Sequence, residues 1–207
     1  MSKGILFIIS APSGAGKSSL ISKLLTQYKY NKNIKTSISY TTRNIRPKEI
    51  NGNHYFFVSV LKFKYMISKN KFLEYEKVFG NYYGTPRLFI EKSLKMGFDV
   101  LLNIDWRGAN TIRKKIKNNI CSIFILPPSI EELNKRLYKR DQYNEQNLNE
   151  RITYSSLEMK HYHEYDYLII NDNFYKSLND LKSIINAVKL TINYQKINNI
   201  HLINNLF

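Results

Sequence analysis

The chain has 207 residues, 43% of them hydrophobic and 23% charged, a globular composition with apolar material for a real core in one domain or one and a half. No apolar run approaches the roughly 18 residues of a membrane span, and the N-terminal run is too short and wrongly followed for a secretory leader. A single cysteine, Cys121, excludes a disulfide framework and a cysteine-rich zinc site, so a cytoplasmic protein with no membrane partner is expected.

The net charge of +16 would attract any polyanion. The surplus is mostly lysine, however, and travels with Asn, Ile and Tyr, the set that A/T-rich codons specify. The basic residues are scattered and form no block, so no specific nucleic-acid partner is expected.

In chain order, residues 4–10 form a continuous apolar run closed by a Gly-rich turn, the pattern of a buried strand. Residues 17–28 place Leu20, Ile21, Leu24 and Leu25 at helical spacing, and 35–42 read as a second strand. From 41 to 84 the texture turns aromatic, with strand-like pieces at 55–58 and 72–79 around a helical stretch near 61–67. Alternation then returns: helix 88–96, strand 98–104, helix 108–115, and strand 120–126 stopped by Pro127-Pro128. Ser129 is a good N-cap for a helix to about 139, with Glu131 and Glu132 in its first turn. Residues 141–149 read as a polar loop, followed by a helix to about 161, a strand at 167–170 and a terminal helix at 177–194. Strands alternating with helices predict an α/β fold with a largely parallel sheet flanked by helices.

The strongest chemical signal is Ser10-Ala11-Pro12-Ser13-Gly14-Ala15-Gly16-Lys17-Ser18, between the first strand and the first helix. The phosphate-loop pattern is G-x-x-x-x-G-K-S/T in that setting, and only Ala11 departs from it. Gly14 and Gly16 permit the backbone angles that aim successive N–H groups at phosphate oxygens, and the helix N-terminus adds partial positive charge. Lys17 is then expected to reach the β- and γ-phosphates and Ser18 to ligate Mg²⁺. Such a loop predicts an NTP substrate and leaves the acceptor open.

For the acceptor, Arg43 and Arg46 stand three apart, followed by Tyr55, Glu74, Tyr83 and Thr85. Planar guanidinium forks suit phosphate oxygens. Each residue alone would read as solvated or packed; beside an NTP loop they outline an anion site.

At these residues the sequence resembles the guanylate kinases. The motifs that carry the likeness are the loop just quoted, Thr41-Thr42-Arg43-x-x-Arg46-Pro47, Gly80-Asn81-Tyr82-Tyr83-Gly84, Ile104-Asp105-Trp106-x-Gly108 and 124–129. The resemblance implies a phosphate-loop NTPase fold with an inserted nucleoside-monophosphate-binding subdomain, residues 36–91, and a mobile lid, 139–159. The core would be 1–35, 92–138 and 160–207. It also implies transfer of the ATP γ-phosphoryl to GMP, with dGMP left open as an acceptor and the oligomeric state open between monomer and homodimer.

Carried over residue by residue, residues Ala11, Pro12, Ser13, Gly14, Ala15, Gly16, Lys17 and Ser18 would hold ATP, with Asn171 on its adenine side. Arg43, Arg46, Tyr55 and Tyr83 would hold the GMP phosphate. Glu74 would read guanine, with Ser39 and Thr85 near its O6 edge. Arg136, Arg140 and Arg151 would close over the transferred group beside Lys17 and Arg43, and Asp105 would hold Mg²⁺ through water. Independently of the likeness, one carboxylate can accept from guanine N1–H and the 2-amino group together, donors that adenine lacks. Where the family commonly has Asp-Ile-Asp, this chain has Asn103-Ile104-Asp105, so a carboxylate beside GMP is replaced by an amide and weaker GMP handling is expected. Two other readings are a non-catalytic protein-binding module, which the intact Gly16-Lys17-Ser18 argues against, and charge-driven nucleic-acid binding, which the scatter of basic residues argues against.

Overall fold

The computed structural model describes residues 3–27, 33–47, 49–140 and 145–207, with the side chains of 140 and 145–150 outside the described set. The central sheet is parallel, in the order β2 (Ile34–Ser37), β7 (Asp99–Asn103), β1 (Leu6–Ser10), β8 (Ile120–Leu126), β9 (Tyr167–Ile170). All five residues of β1 are buried, as is the middle of β8, which is why both read as unbroken apolar runs: a strand covered on both faces has no solvent side on which to alternate. Cys121 opens the buried part of β8 at 3% exposure, and burial, with Asp166 adding to it, pushes its thiol up to about 12. It is a packed, unreactive group.

The chain divides into two compact units. One comprises residues 1–6, 33–102 and 107–120 and contains a second sheet, ordered β4 (Phe56–Phe57), β3 (Tyr40–Thr41), β6 (Asn81–Pro86), β5 (Phe72–Val78). The aromatic texture of 41–84 is the core of this sheet: the Phe63 ring stacks on Phe72 at 4.5 Å and on Tyr82 at 5.3 Å, and Tyr40 stacks on Phe56 at 4.8 Å. Phe63 comes from α2 (Val60–Ser68), whose N-cap Ser59 accepts the Lys62 N–H. The same unit contains α3 (Arg87–Lys95) and α4 (Trp106–Lys115) apart from the first residue of α4.

The other unit comprises 7–32, 103–106 and 121–207. It holds α1 (Lys17–Gln27), α5 (Ile130–Arg140), α6 (Glu145–Met159), a 3₁₀ turn (Lys160–Glu164), α7 (Phe174–Lys189), α8 (Ile192–Asn198) and α9 (Ile200–Asn204). Leu133 and Leu137 of α5 are fully buried, with Ile152 and Met159 of α6 packed against them.

Four elements differ from the sequence expectation. The strand expected at 35–42 is two strands in two sheets, β2 and β3. β6 was not expected as a strand, because Asn, Gly and Pro are poor strand formers; it exists through its pairing with β5 across a two-residue turn at Phe79 and Gly80, both with positive φ. Residues 145–149 are helical where a loop was expected, while 141–144, the rest of that expectation, lie outside the described residues. The terminal helix begins at Phe174, three residues early, because the Asn173 side chain accepts the N–H groups of Tyr175 and Lys176. It stops at Lys189, where Thr191 caps a new helix, α8.

Candidate active site

The loop between β1 and α1 has the shape its glycines promise. Gly14 and Gly16 sit at φ +87° and +91°, a region that L side chains rarely adopt. A Cβ on Gly16 would also stand 2.4 Å from Asn171 Nδ2. That amide nitrogen donates to the Ala15 carbonyl at 2.7 Å, and the Asn171 N–H donates to Leu126 O at 2.7 Å. Asn171, expected on the adenine side, therefore braces the loop from behind. Ala11, Pro12 and Ala15 are buried and Ser13 is exposed, and the Ala15 N–H closes a turn onto Pro12 O at 3.2 Å. Ala11, the one departure from the motif, simply fills space where the strand ends.

Lys17 and Ser18 open α1, Lys17 half-buried and Ser18 exposed. Lys17 Nζ donates to Ile104 O at 3.0 Å. Desolvation lowers its pKa, and the charges of Glu158 and then Asp105 pull it partly back. Asp105, expected near Mg²⁺, is thus within electrostatic reach of the lysine. Trp106, beside it, stacks on His161 with ring centroids 3.5 Å apart and planes 11° apart.

Arg136 lies on α5, where its Nε donates to Glu132 Oε1 at 2.8 Å and its Nη2 to Asn171 O at 3.4 Å. Arg151 is half-buried on α6, and the Arg140 side chain lies outside the described residues. Ser155, one turn beyond Arg151, is fully buried and donates to Ser13 O at 3.5 Å.

The other unit gathers Ser39, Arg43, Arg46, Tyr55, Glu74, Tyr83 and Thr85, while Asn103 belongs with Ile104 and Asp105. Glu74 on β5 and Thr85 on β6 are a cross-strand pair, both buried, with the Thr85 hydroxyl donating to Glu74 Oε1. Tyr55 and Tyr83 meet edge to face at 5.9 Å. Ser39 is half-buried between β2 and β3.

A residue that sequence reasoning missed completes this group. Arg43 Nη2 donates to both oxygens of Glu49, at 2.7 and 3.0 Å, and the Arg46 N–H donates to Glu49 Oε2 at 2.8 Å. Arg43 Nη1 donates to Asn44 O, and the guanidinium lies 5.7 Å from the rings of Tyr55 and Phe57. Burial works against both charges, yet the mutual hydrogen bonds outweigh it: Arg43 is raised above its ordinary value and Glu49 held below its own. The only signal in the sequence was a carboxylate three residues after Arg46, too common a spacing to single out.

A parallel sheet whose first strand feeds a glycine-shaped loop into a helix opened by lysine and serine is the build of a phosphate-loop NTPase. A family model described as guanylate kinase matches residues 3–188. The chain is 57% identical over 197 residues to the guanylate kinase of Buchnera aphidicola from Schizaphis graminum, covering 95% of this chain and 94% of that protein. It is 54% identical over 197 residues to the guanylate kinase of Escherichia coli O157:H7, at the same coverages. The crystal structure of guanylate kinase from Anaplasma phagocytophilum superposes with a TM-score of 0.77 at 32% identity, over 93% of this chain and 89% of that one. The chain belongs to the guanylate kinase family. Its reaction is the ATP-dependent phosphorylation of GMP to GDP. The resemblance read from the motifs and the α/β fold expected from the strand–helix alternation both stand. Among the described residues no helix is long and apolar enough to cross a membrane.

Proposed function

We propose the following division of work among this chain's residues in that transfer. The backbone amides of residues 11–18 and the Lys17 ammonium hold the ATP phosphates, and Asn171 serves the adenine side through the loop it braces. Arg43, Arg46, Tyr55 and Tyr83 hold the GMP phosphate, Glu49 keeping the Arg43 fork square to it. Glu74 accepts guanine N1–H and N2–H, with Ser39, Thr85 and Asn103 completing the base site. Arg136, Arg140 and Arg151 steady the charge of the migrating phosphoryl group, which needs placement and positive charge more than covalent help. The segment 36–91 serves as the acceptor subdomain and 139–159 as a lid that excludes water, and the enzyme works in the cytoplasm.

Mg²⁺ suits the donors present. The Ser18 hydroxyl and the Asp105 carboxylate are hard oxygens, and Mg²⁺ is commonly held by one or two such groups with phosphate oxygens rather than by a protein cage. Among the described residues no cluster of three or more His, Cys, Asp or Glu could form such a cage, which agrees with that mode. When bound, the ion neutralises charge between the β- and γ-phosphates.

The observation that carries the base assignment is Glu74, a carboxylate only 6% exposed. A buried carboxylate wants donors, and guanine alone among the common bases offers two side by side. Offering GMP, AMP, UMP and CMP with ATP tests it. The native chain should use GMP far better than AMP, and Glu74→Gln should cost GMP kcat/KM about 30- to 150-fold, the worth of a charge-assisted hydrogen bond. Equal use of AMP by the native chain would sink the assignment.

A further inference from the structure

Helix α6 presents Arg151, Ser155 and Glu158 at i, i+4 and i+7, the spacing of one helical face. Ser155 fixes where that face looks, since it is fully buried with its hydroxyl on Ser13 O of the phosphate loop. Ile152 and Met159 of the same helix pack on Leu133 and Leu137, and those two leucines lie 3.0 to 3.3 Å from where a Cβ on Gly14 would stand. The Ser155 face of α6 is therefore held against the loop.

Glu158 is the feature this packing does not explain. It is only 8% exposed, whereas carboxylates are almost never buried without a charge partner. No step of the transfer proposed above uses it. Its charge is felt at Lys17 more strongly than that of Asp105, the other carboxylate facing the ammonium. The lysine itself is turned to Ile104 O, at the end of β7.

We propose that Glu158 is the resident counter-ion of Lys17, so that α6 and the polyphosphate of ATP or ADP compete for one ammonium. It rests on the reading of Lys17 as a phosphate contact. An arriving nucleotide supplies several negative charges to Lys17 and repels the carboxylate that held it. The face of α6 that loses its hold is the one that carries Arg151. Nucleotide arrival and release of the lid helix thereby become one electrostatic exchange, with Glu158 as a positioning residue.

The test is equilibrium binding of ADP, ATP and GMP by titration calorimetry to the native chain, Glu158→Gln, Glu158→Asp, Lys17→Met and the Lys17→Met/Glu158→Gln double variant. Glutamine keeps the shape and drops the charge, so it should tighten ADP and ATP about tenfold and leave GMP unchanged. Aspartate keeps the charge and should stay within about threefold of native. In the Lys17→Met background the glutamine substitution should change nothing. Unchanged or weaker nucleotide binding in Glu158→Gln overturns the proposal, and so does tightening by aspartate as large as by glutamine. Tightening that survives without Lys17 overturns it too, leaving plain repulsion between Glu158 and phosphate. Native ADP and ATP affinity in Lys17→Met alone would instead refute the phosphate-contact reading beneath it.

Discussion

Arg43 and Glu49 hold each other through two hydrogen bonds, and the Arg46 N–H adds a third to the same carboxylate. A guanidinium locked in this way loses less freedom on meeting a phosphate than a free one would. Glu49→Gln should therefore raise the GMP KM about tenfold, while the ATP KM stays put. The pH dependence follows from the depressed Glu49 pKa: the pair stabilises the fold above the ordinary value of 4.5 and loses its hold as pH falls through the lower folded value. Melting temperatures of native and Glu49→Gln proteins should differ at pH 7 and converge in acid. Both groups are partly open to solvent, so screening keeps the difference modest. At Asn103, half-buried at the end of β7, Asn103→Asp restores the carboxylate common in the family and should lower the GMP KM; equal KM and kcat for both proteins would retire that expectation. Arg43 and Arg46 were legible because an arginine pair after a strand is rare beside an NTP loop. Glu49 was not, because only the folded turn brings its oxygens to both.

Among the elements, the phosphate loop shows why a local motif reads so well. Gly16 is fixed by two independent requirements, a φ of +91° and the Asn171 amide 2.4 Å from any added Cβ. Gly16→Ala must break one of them, at a cost of about 1–3 kcal/mol, and ATP affinity should fall about 10- to 100-fold with GMP affinity unchanged. An unchanged ATP Kd in that variant would mean the amide brace is idle. The first requirement was written in the motif and the second was not, since Asn171 is 156 residues from its hydrogen-bond partner Ala15. Strands show the same divide. β1 and β8 announced themselves as apolar runs, whereas Asn81–Pro86 became a strand only by lying beside Phe72–Val78. The polar stretch that suggested a loop is helical from Glu145, because a helix needs only a packed stripe, and Ile152, Ser155 and Met159 supply one.

For the molecule as a whole, a net charge of +16 meets two anionic substrates. Long-range attraction raises encounter rates and is screened by salt, so kcat/KM for GMP should fall about threefold or more from roughly 0.05 to 0.5 M KCl at fixed free Mg²⁺. A flat profile would assign the charge to base composition alone. The sequence by itself determined the α/β class, the NTP loop and the guanylate kinase likeness, because each is carried by residues close together in the chain, where periodicity and backbone angles act locally. Only the tertiary structure decided that Glu49 squares Arg43, that Asn171 braces the loop, that β6 is a strand and that Glu158 faces Lys17. Those depend on hydrogen bonds and charges between residues that the chain keeps apart and packing brings within a few ångströms.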